Sequence, residues 1–321
     1  MKLAEIYQLA IRLGRQTDPR GEAELKQLLE RLHKEYEEMK EDERGDFDTE
    51  KLTNPFSDTR ILLGDPEQEV KAVLVGIDIE VGEILLADRL RENGQQVDLI
   101  LAHHPEGKAL AALHEVMHLQ ADVLHQLGVP INVAEGLLAS RITEVKRGLM
   151  PLNHNKTVDA ARLLGFPLMC VHTPADNLVT AYLNKFFTEK SPRTVADVVK
   201  ALKEIPEYRS AARMEVGPQV ILGEGKNRAG KIFVDMTGGT SGAEKAYEKL
   251  ADAGVGTIVS MHMTDKHRTE AEKHHINVVI AGHMASDSLG MNLFLDHLEA
   301  AGLTIVPCAG LVRVKRDLEV R

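Results

Sequence analysis

Residues 70–107 read VKAVLVGIDIEVGEILLADRLRENGQQVDLILAHHPEG, and this stretch decides the fold. Two largely apolar runs, at 72–77 and 97–102, flank a segment of helical period, and Asp98 is their one charged residue. Unbroken runs rich in Val, Ile and Leu are typical of strands that are buried on both faces. A strand, a helix and a second strand in this order predict a βαβ unit with parallel strands.

A second stretch resembles the first: residues 229–263 read AGKIFVDMTGGTSGAEKAYEKLADAGVGTIVSMHM. Each stretch has an acid after its first strand and a histidine after its second. The interval is 25 residues from Asp78 to His103 and 27 residues from Asp235 to His262. Either an internal duplication or the shared geometry of βαβ units explains the match. Both explanations predict two similar α/β halves.

Further apolar runs at 168–171 and 278–281 extend the pattern to a largely parallel, helix-covered α/β fold that follows two N-terminal helices. A Ser-Gly-Ala-Glu sequence that begins at Ser241 predicts a capped helix over 243–253. The expected divisions of the chain are 1–54 for the N-terminal helices and a connection, 55–136 for the first half, 137–230 for an irregular cap or insertion, and 231–321 for the second half.

Charge and cysteine content narrow the class of protein. The 321 residues include 39 Lys and Arg against 49 Asp and Glu, a formal net charge of −10, which argues against nucleic acid as a partner. Two cysteines, Cys170 and Cys308, lie in apolar stretches, which fits a reducing compartment and excludes a disulfide framework. The absence of a secretory signal or a spanning segment predicts a cytoplasmic protein without membrane contact.

Histidines follow several of the apolar runs, where the ligands of open α/β sheets bind. They are His103 and His104, His172, His262, and His283. Asp176 and Asp287 lie four residues after His172 and His283, so a helix there places each pair on one face. Imidazoles mixed with carboxylates suit Zn, Fe, Mn or Co, and the number of donors predicts two divalent ions.

Plainer explanations exist for each of these residues. A single histidine at a strand end is usually a hydrogen-bonded core or surface residue, and an acid near a helix start is often a cap. His154 and the pair His274 and His275 lie in polar sequence and are not expected to be ligands. The Gly-rich turn at 237–242 is a weak candidate for an anion cradle, because it lacks the lysine of a P-loop.

At these residues the chain resembles the NGG-interacting factor three-like family, also known as the GTP cyclohydrolase I type 2 family. The resemblance rests on the ordered pieces LLGDPEQEVKAVLVGID, DLILAHHP, VHTPAD, VDMTGGTSG and INVVIAGHMASD. It implies two α/β halves around a dinuclear metal site, and dimers that assemble into a hexameric ring. The implied metal ligands are His103, His104, Asp176, His283 and Asp287.

Four departures from the family pattern weaken the transfer of an activity. Asp287 stands where the family usually has Glu, and Glu106 follows HHP where an apolar residue is usual. His262 stands where the family tends to have an acid, and the interval from His104 to Asp176 is nearly twice the usual one.

The leading hypothesis is a dinuclear metal hydrolase that acts on an anionic small molecule, phosphate-bearing or nucleotide-like, with His262 or Glu106 as proton shuttle and His172 as a ligand or a supporting residue. The alternative is a ring-shaped metal-binding scaffold or metal-handling protein without turnover. A third reading is a mononuclear or metal-free protein. The sequence assigns no role to Asp78 or Asp235.

Overall fold

The computed structural model describes residues 1–318. Its strands are β1 (Arg60–Leu63), β2 (Ala72–Gly76), β3 (Leu99–Ala102), β4 (Leu168–Cys170), β5 (Gln219–Leu222), β6 (Lys231–Asp235), β7 (Val255–Ser260), β8 (Asn277–Ile280) and β9 (Thr304–Cys308). Its helices are α1 (Leu3–Gln16), α2 (Glu22–Glu38), α3 (Glu41–Arg44), α4 (Val81–Glu92), α5 (Gly107–Ala111), α6 (Leu113–Val116), α7 (Leu119–Leu127), α8 (Ile131–Leu149), α9 (Lys156–Leu164), α10 (Thr173–Lys190), α11 (Val195–Leu202), α12 (Pro206–Arg213), α13 (Ala246–Asp252), α14 (Asp265–Lys273) and α15 (His283–Ala300).

The strands form two sheets, here called the first and second sheet. The first has the order β1-β4-β3-β2-β9 and the second has the order β5-β8-β7-β6. In each sheet the strand first in this order, β1 or β5, is antiparallel to its neighbour, and the other neighbouring strands are parallel. The predicted α/β class, with two largely parallel, helix-covered sheets and N-terminal helices, is confirmed.

The two sheets repeat one arrangement. β1, β4, β3 and β2 correspond in order to β5, β8, β7 and β6, and the antiparallel pair in each sheet has an irregularity after its second paired residue. In the first sheet Gly76 pairs with Ala102, and at the same place in the second sheet Asp235 pairs with Ser260. The register counterparts of Asp78 and His103 are therefore Thr237 and Met261, and not Asp235 and His262. Spacing along the chain does not reveal which residues share a register position.

Two long helices lie between the sheets. One side of α10 and α15 packs on the first sheet through residues such as Ala175 and Phe294, and the other side packs on the second sheet through Val179 and Leu289. The helices approach closely at Gly290, where an added Cβ would lie 2.4 Å from the Ala175 carbonyl oxygen. Because α10 follows β4 and α15 follows β8, their first turns meet at the carboxyl ends of the strands.

Helices α7 and α8 join the long segment after His104 to the second half. Leu124 and Leu138 share a buried cluster with Tyr247 and Leu250 of α13. The Nζ group of Lys231 donates to the Leu127 carbonyl oxygen at 2.6 Å. The extra length between His104 and Asp176 therefore contributes a wall to the second half.

The helix expected over 243–253 begins three residues later, at Ala246. The preceding loop is held elsewhere, because the Ser241 carbonyl accepts from Arg141 Nε at 3.0 Å and the Gly238 and Thr240 carbonyls accept from Gln120 Nε2. These contacts across the chain replace the predicted capping box. Within residues 1–318, no helix has both the length and the apolar character needed to cross a membrane.

Candidate metal centre

Imidazoles and carboxylates meet where β3, β4 and β8 end. The ring centroids of His103 and His104 are 5.2 Å apart, and those of His104 and His283 are also 5.2 Å apart. The carboxylates of Asp176 and Asp287 lie among these rings. We call the following five residues the His/Asp cluster: His103, His104, Asp176, His283 and Asp287. The structure thus brings together the five ligands that the sequence resemblance implies.

His103 is aimed at the centre of the cluster by its backbone surroundings. Its side chain is 1% exposed, and Nδ1 lies 3.0 Å from the Val171 carbonyl oxygen. Because a carbonyl oxygen only accepts, Nδ1 carries the hydrogen and Nε2 keeps a free lone pair. That Nε2 atom lies 3.5 Å from Asp176 Oδ1 and 3.6 Å from Asp287 Oδ1. Burial lowers the pKa of His103, which favours the neutral form that a metal ligand needs.

His104 is oriented by a carboxylate on the other side of its ring. Its Nδ1 lies 2.6 Å from Asp78 Oδ1, and its Nε2 lies 3.5 Å from Asp287 Oδ2. Burial lowers the pKa of His104, but Asp287 and Asp78 together outweigh burial, so the net direction is upward. Asp78, which has no role in the sequence reading, is placed here to fix the ring orientation.

His172 is held in a similar way at the edge of the cluster. Its Nδ1 lies 2.8 Å from Asp58 Oδ2, and the same oxygen accepts from Thr173 Oγ1 at 2.6 Å. Its ring centroid is 4.9 Å from that of His103, and its Nε2 lies 3.8 Å from Asp176 Oδ2. Asp58 is fully buried and was missed by the sequence reading, because 114 residues separate it from His172 and no local spacing links them.

Asp287 lies at the centre of the cluster. Both of its side-chain oxygens are buried and have no hydrogen-bond partner among residues 1–318, and the same is true of His103 Nε2. Burial by itself would raise the pKa of Asp287, but His103, His104 and His283 outweigh it and hold this pKa well below its usual range. The pKa of Asp176 is raised by burial and by the nearby carboxylates of Asp287 and Asp58.

The donor atoms form overlapping groups that could hold a metal ion. His103, Asp176 and Asp287 are one group, and His104, His283 and Asp287 are another; within each group the donor atoms lie within 4.8 Å of one another. His172 forms a third group with His103 and His104. Buried polar atoms without partners are costly, and a cation among them removes that cost. The residues therefore fit a divalent metal with mixed nitrogen and oxygen ligands.

The two candidate proton shuttles occupy different places. His262 is at the exposed rim, with its ring centroid 5.0 Å from that of His283. Desolvation at the rim and the neighbouring His283 imidazole lower the pKa of His262. Glu106 belongs to none of the three donor groups and faces Thr157 and Lys156 of α9. The structure thus brings His262, but not Glu106, to the cluster.

A cavity of about 320 Å³ opens beside the cluster. Asp176, His283 and Asp287 line one end of it, and Asp235 and Tyr247 line another part of its wall. The Gly-rich turn also contributes to the wall. At Gly238, where φ is +106°, an added Cβ would lie 2.5 Å from Gln120 Cγ, so the turn depends on a residue without a side chain.

Comparison with known proteins supports the fold and the family. The crystal structure of a NIF3 superfamily protein from Sphaerobacter thermophilus matches 79% of this chain and 92% of its own length, with 29% sequence identity and a TM-score of 0.72. Reduced HcgD from Methanocaldococcus jannaschii matches 84% of this chain and 97% of its own length, with 16% identity and a TM-score of 0.51, and shows a shared fold alone. Neither a family model nor a curated protein matches the sequence. In fold and in the pattern of its motifs, the chain is similar to the NIF3 superfamily protein from Sphaerobacter thermophilus.

Proposed function

We propose that the His/Asp cluster binds two divalent metal ions and that the protein is a metal-dependent hydrolase of a phosphate-bearing or nucleotide-like small molecule. The environment of Asp287 is the observation on which this proposal rests. Its two oxygens are buried and find no hydrogen-bond partner in the described part of the chain, and Asp287 belongs to two of the donor groups. A carboxylate shared by two groups suits a ligand that bridges a pair of ions.

Each ion would have its own set of ligands. His103, Asp176 and Asp287 would hold one ion, and His104, His283 and Asp287 would hold the other, with His172 beside the first. This mixture of nitrogen and oxygen suits Zn, Fe, Mn or Co. Such a pair of ions supplies a hydroxide near neutral pH, binds a substrate oxygen and stabilises charge on the leaving atom.

The remaining residues orient the imidazoles and move protons. Asp58 and Asp78 hold the Nδ1 atoms of His172 and His104, which turns each Nε2 towards the cluster. His262 has a lowered pKa and stands at the rim, so its neutral imidazole can accept a proton from water or pass one to a leaving group. Glu106 faces away towards α9, and we assign proton transfer to His262 alone.

The test is a comparison of metal-depleted and metal-reloaded protein on a panel of phosphate esters and nucleotides. We expect hydrolysis of at least one class by the reloaded protein and none by the depleted protein. His262→Ala should lower kcat while the bound metal stays constant. Full metal content without turnover of any member of the panel would contradict the hydrolase and favour a metal-handling scaffold.

We further propose that the protein is cytoplasmic and assembles as a hexamer built from dimers. Apolar side chains on two neighbouring helices support association: Leu85 of α4 is 56% exposed and Leu163 of α9 is 80% exposed. Exposed apolar patches of this kind often mark protein interfaces. Light scattering should give the mass of a hexamer at micromolar concentration, and a monomer would contradict the assembly.

A further inference from the structure

The cavity beside the cluster is large enough to hold part of a substrate. Its volume of about 320 Å³ lies at the lower end of the range of small-molecule sites, about 300–1,000 Å³. One end is formed by Asp176 and Asp287, so a molecule in the cavity reaches the proposed metal ions. The cavity therefore opens directly onto the His/Asp cluster.

The cavity wall away from the cluster is unsuited to an anion. Apolar side chains such as Leu124, Leu138 and Met261 form much of it, and no lysine or arginine from the described residues 1–318 lines the cavity. The helix that follows the Gly-rich turn, α13, has only seven residues and offers no N-terminal site for an anion. A phosphate in this part of the cavity would meet the carboxylate of Asp235 and find no cation.

Asp235 is an acid that the fold itself does not neutralise. It ends β6 and lines the cavity. The Ser260 hydroxyl offers it a hydrogen bond, but no cationic side chain between residues 1 and 318 forms an ion pair with it. Burial raises its pKa to about 6, so the ionised form is costly but prevails at neutral pH. Because one hydrogen bond from Ser260 does not offset burial, keeping a carboxylate at this position lowers stability unless a bound molecule donates further hydrogen bonds to it.

We propose that the cavity binds the uncharged organic part of the substrate, a nitrogen heterocycle whose N–H groups donate to the carboxylate of Asp235. The apolar walls cover the ring, and the anionic part of the same molecule points to the His/Asp cluster. The orientation of the substrate rests on the proposed metal-dependent function. Recognition of the heterocycle by Asp235 does not need the metals.

The probe is 2-aminobenzimidazole, whose ring N–H and amino group can both donate to one carboxylate. Its control is 1-methylbenzimidazole, which has a similar shape and no N–H group. Isothermal titration calorimetry on metal-depleted protein at about pH 8.5 keeps both probes largely uncharged and prevents their ring nitrogen from binding a metal. We expect the wild-type protein to bind the amino probe at least tenfold more tightly than the methyl probe.

Asp235→Asn separates recognition from general apolar binding. We expect this variant to lose at least tenfold in affinity for the amino probe and to bind the methyl probe as before. Asp265→Asn changes a fully exposed acid on α14 and should leave both affinities unchanged. Equal binding of the two probes by the wild-type protein, no binding of either at millimolar concentration, or unchanged binding by Asp235→Asn would overturn the inference.

Metal analysis of the same samples distinguishes this inference from the proposed function. Discrimination between the probes by a protein that takes up no metal would reject the metal-dependent function and support the cavity assignment. Two bound ions together with no discrimination would reject the cavity assignment alone.

Discussion

The carboxyl ends of the two sheets share one geometry and carry different side chains. After β3 the first sheet has His103 and His104, and the equivalent positions after β7 hold Met261 and His262. At the end of β2 the first sheet has Gly76, whereas β6 ends in Asp235. At these positions the first half thus supplies both histidines of its doublet to the cluster, whereas the second half supplies only His262, at the rim. The cluster residues of the second half, His283 and Asp287, come instead from α15.

The outermost strands explain this difference. β9 pairs with β2, and an added Cβ at Gly76 would lie 2.7 Å from the Cβ of Ala309, so that edge is closed by the chain's own C-terminal segment. β6 is the last strand of its sheet, and α7 and α8 cover it at a distance that leaves the cavity. The equivalent strand ends therefore differ: those of β2 and β3 lead into the histidine doublet, and those of β6 and β7 border the cavity.

Replacing equivalent residues of the two halves by alanine tests the comparison most strongly. His103→Ala should weaken metal binding by an order of magnitude or more, because Nε2 of His103 faces both Asp176 and Asp287. Met261→Ala, at the equivalent position of the second half, should leave metal affinity unchanged. Metal titration of both variants measures these affinities. Equal losses of metal affinity would mean that the two sheet ends contribute alike to metal binding.

A smaller effect is expected from Asp78, which orients His104 at an Nδ1 to Oδ1 distance of 2.6 Å. By register, Thr237 occupies the equivalent position in the second half. Asp78→Thr makes the first half resemble the second and should weaken metal binding about tenfold, since residues that orient a ligand typically contribute 10–100-fold. Asp88→Asn, a change at a partly buried acid of α4 outside the cluster, is the matched control. Unaltered affinity in Asp78→Thr would show that His104 needs no carboxylate partner.

The smallest expected effect is a pH-dependent change in the free energy of unfolding, caused by the ionisation of Asp235. The folded pKa of Asp235 is about 6, above the ordinary value of 3.8, so the fold disfavours its ionised form. Below about pH 3.8 Asp235 is protonated in both the folded and the unfolded chain and does not lower the free energy of unfolding. The loss of stability grows as pH rises from 3.8 to 6 and is complete above pH 6. Two pKa units correspond to about 3 kcal/mol, and we expect about 1 kcal/mol because solvent in the cavity screens the charge.

Asp235→Asn should therefore raise the free energy of unfolding at pH 7.5 and leave it nearly unchanged at pH 4. Urea unfolding of metal-depleted protein at the two pH values measures this difference. A variant that is less stable at pH 7.5 would mean that Asp235 has a stabilising partner in the fold.

The fold and the clustering of the histidines could be predicted from the sequence, because both follow from the positions of the buried parallel strands. Unbroken apolar runs mark buried strands, and parallel strands bring their carboxyl ends to one edge, so His103 and His283 were expected to meet although 180 residues separate their positions in the chain (103 and 283). The strand at 97–102 was predicted from local pattern alone, whereas the helix after His172 was only a condition of the argument and is present as α10.

What the sequence could not reveal depends on contacts between distant segments. Asp58 reaches His172 only in the folded chain, and Gln120 holds the Gly-rich turn from a helix more than a hundred residues earlier. That turn overrides the local capping signal at Ser241. The register of the second sheet, which equates Asp235 with Gly76, likewise follows from strand pairing and not from spacing.

The shared position of Asp287 is tested most directly by counting metal ions per chain. Metal-depleted protein, reloaded with Zn or Mn and passed through a desalting column, is analysed by mass spectrometry of the elements. Our account predicts two ions per wild-type chain, one in His283→Ala, where the group of His103, Asp176 and Asp287 survives, and almost none in Asp287→Ala. One ion or fewer in the wild-type chain, or two ions retained by Asp287→Ala, would contradict a dinuclear centre bridged by Asp287.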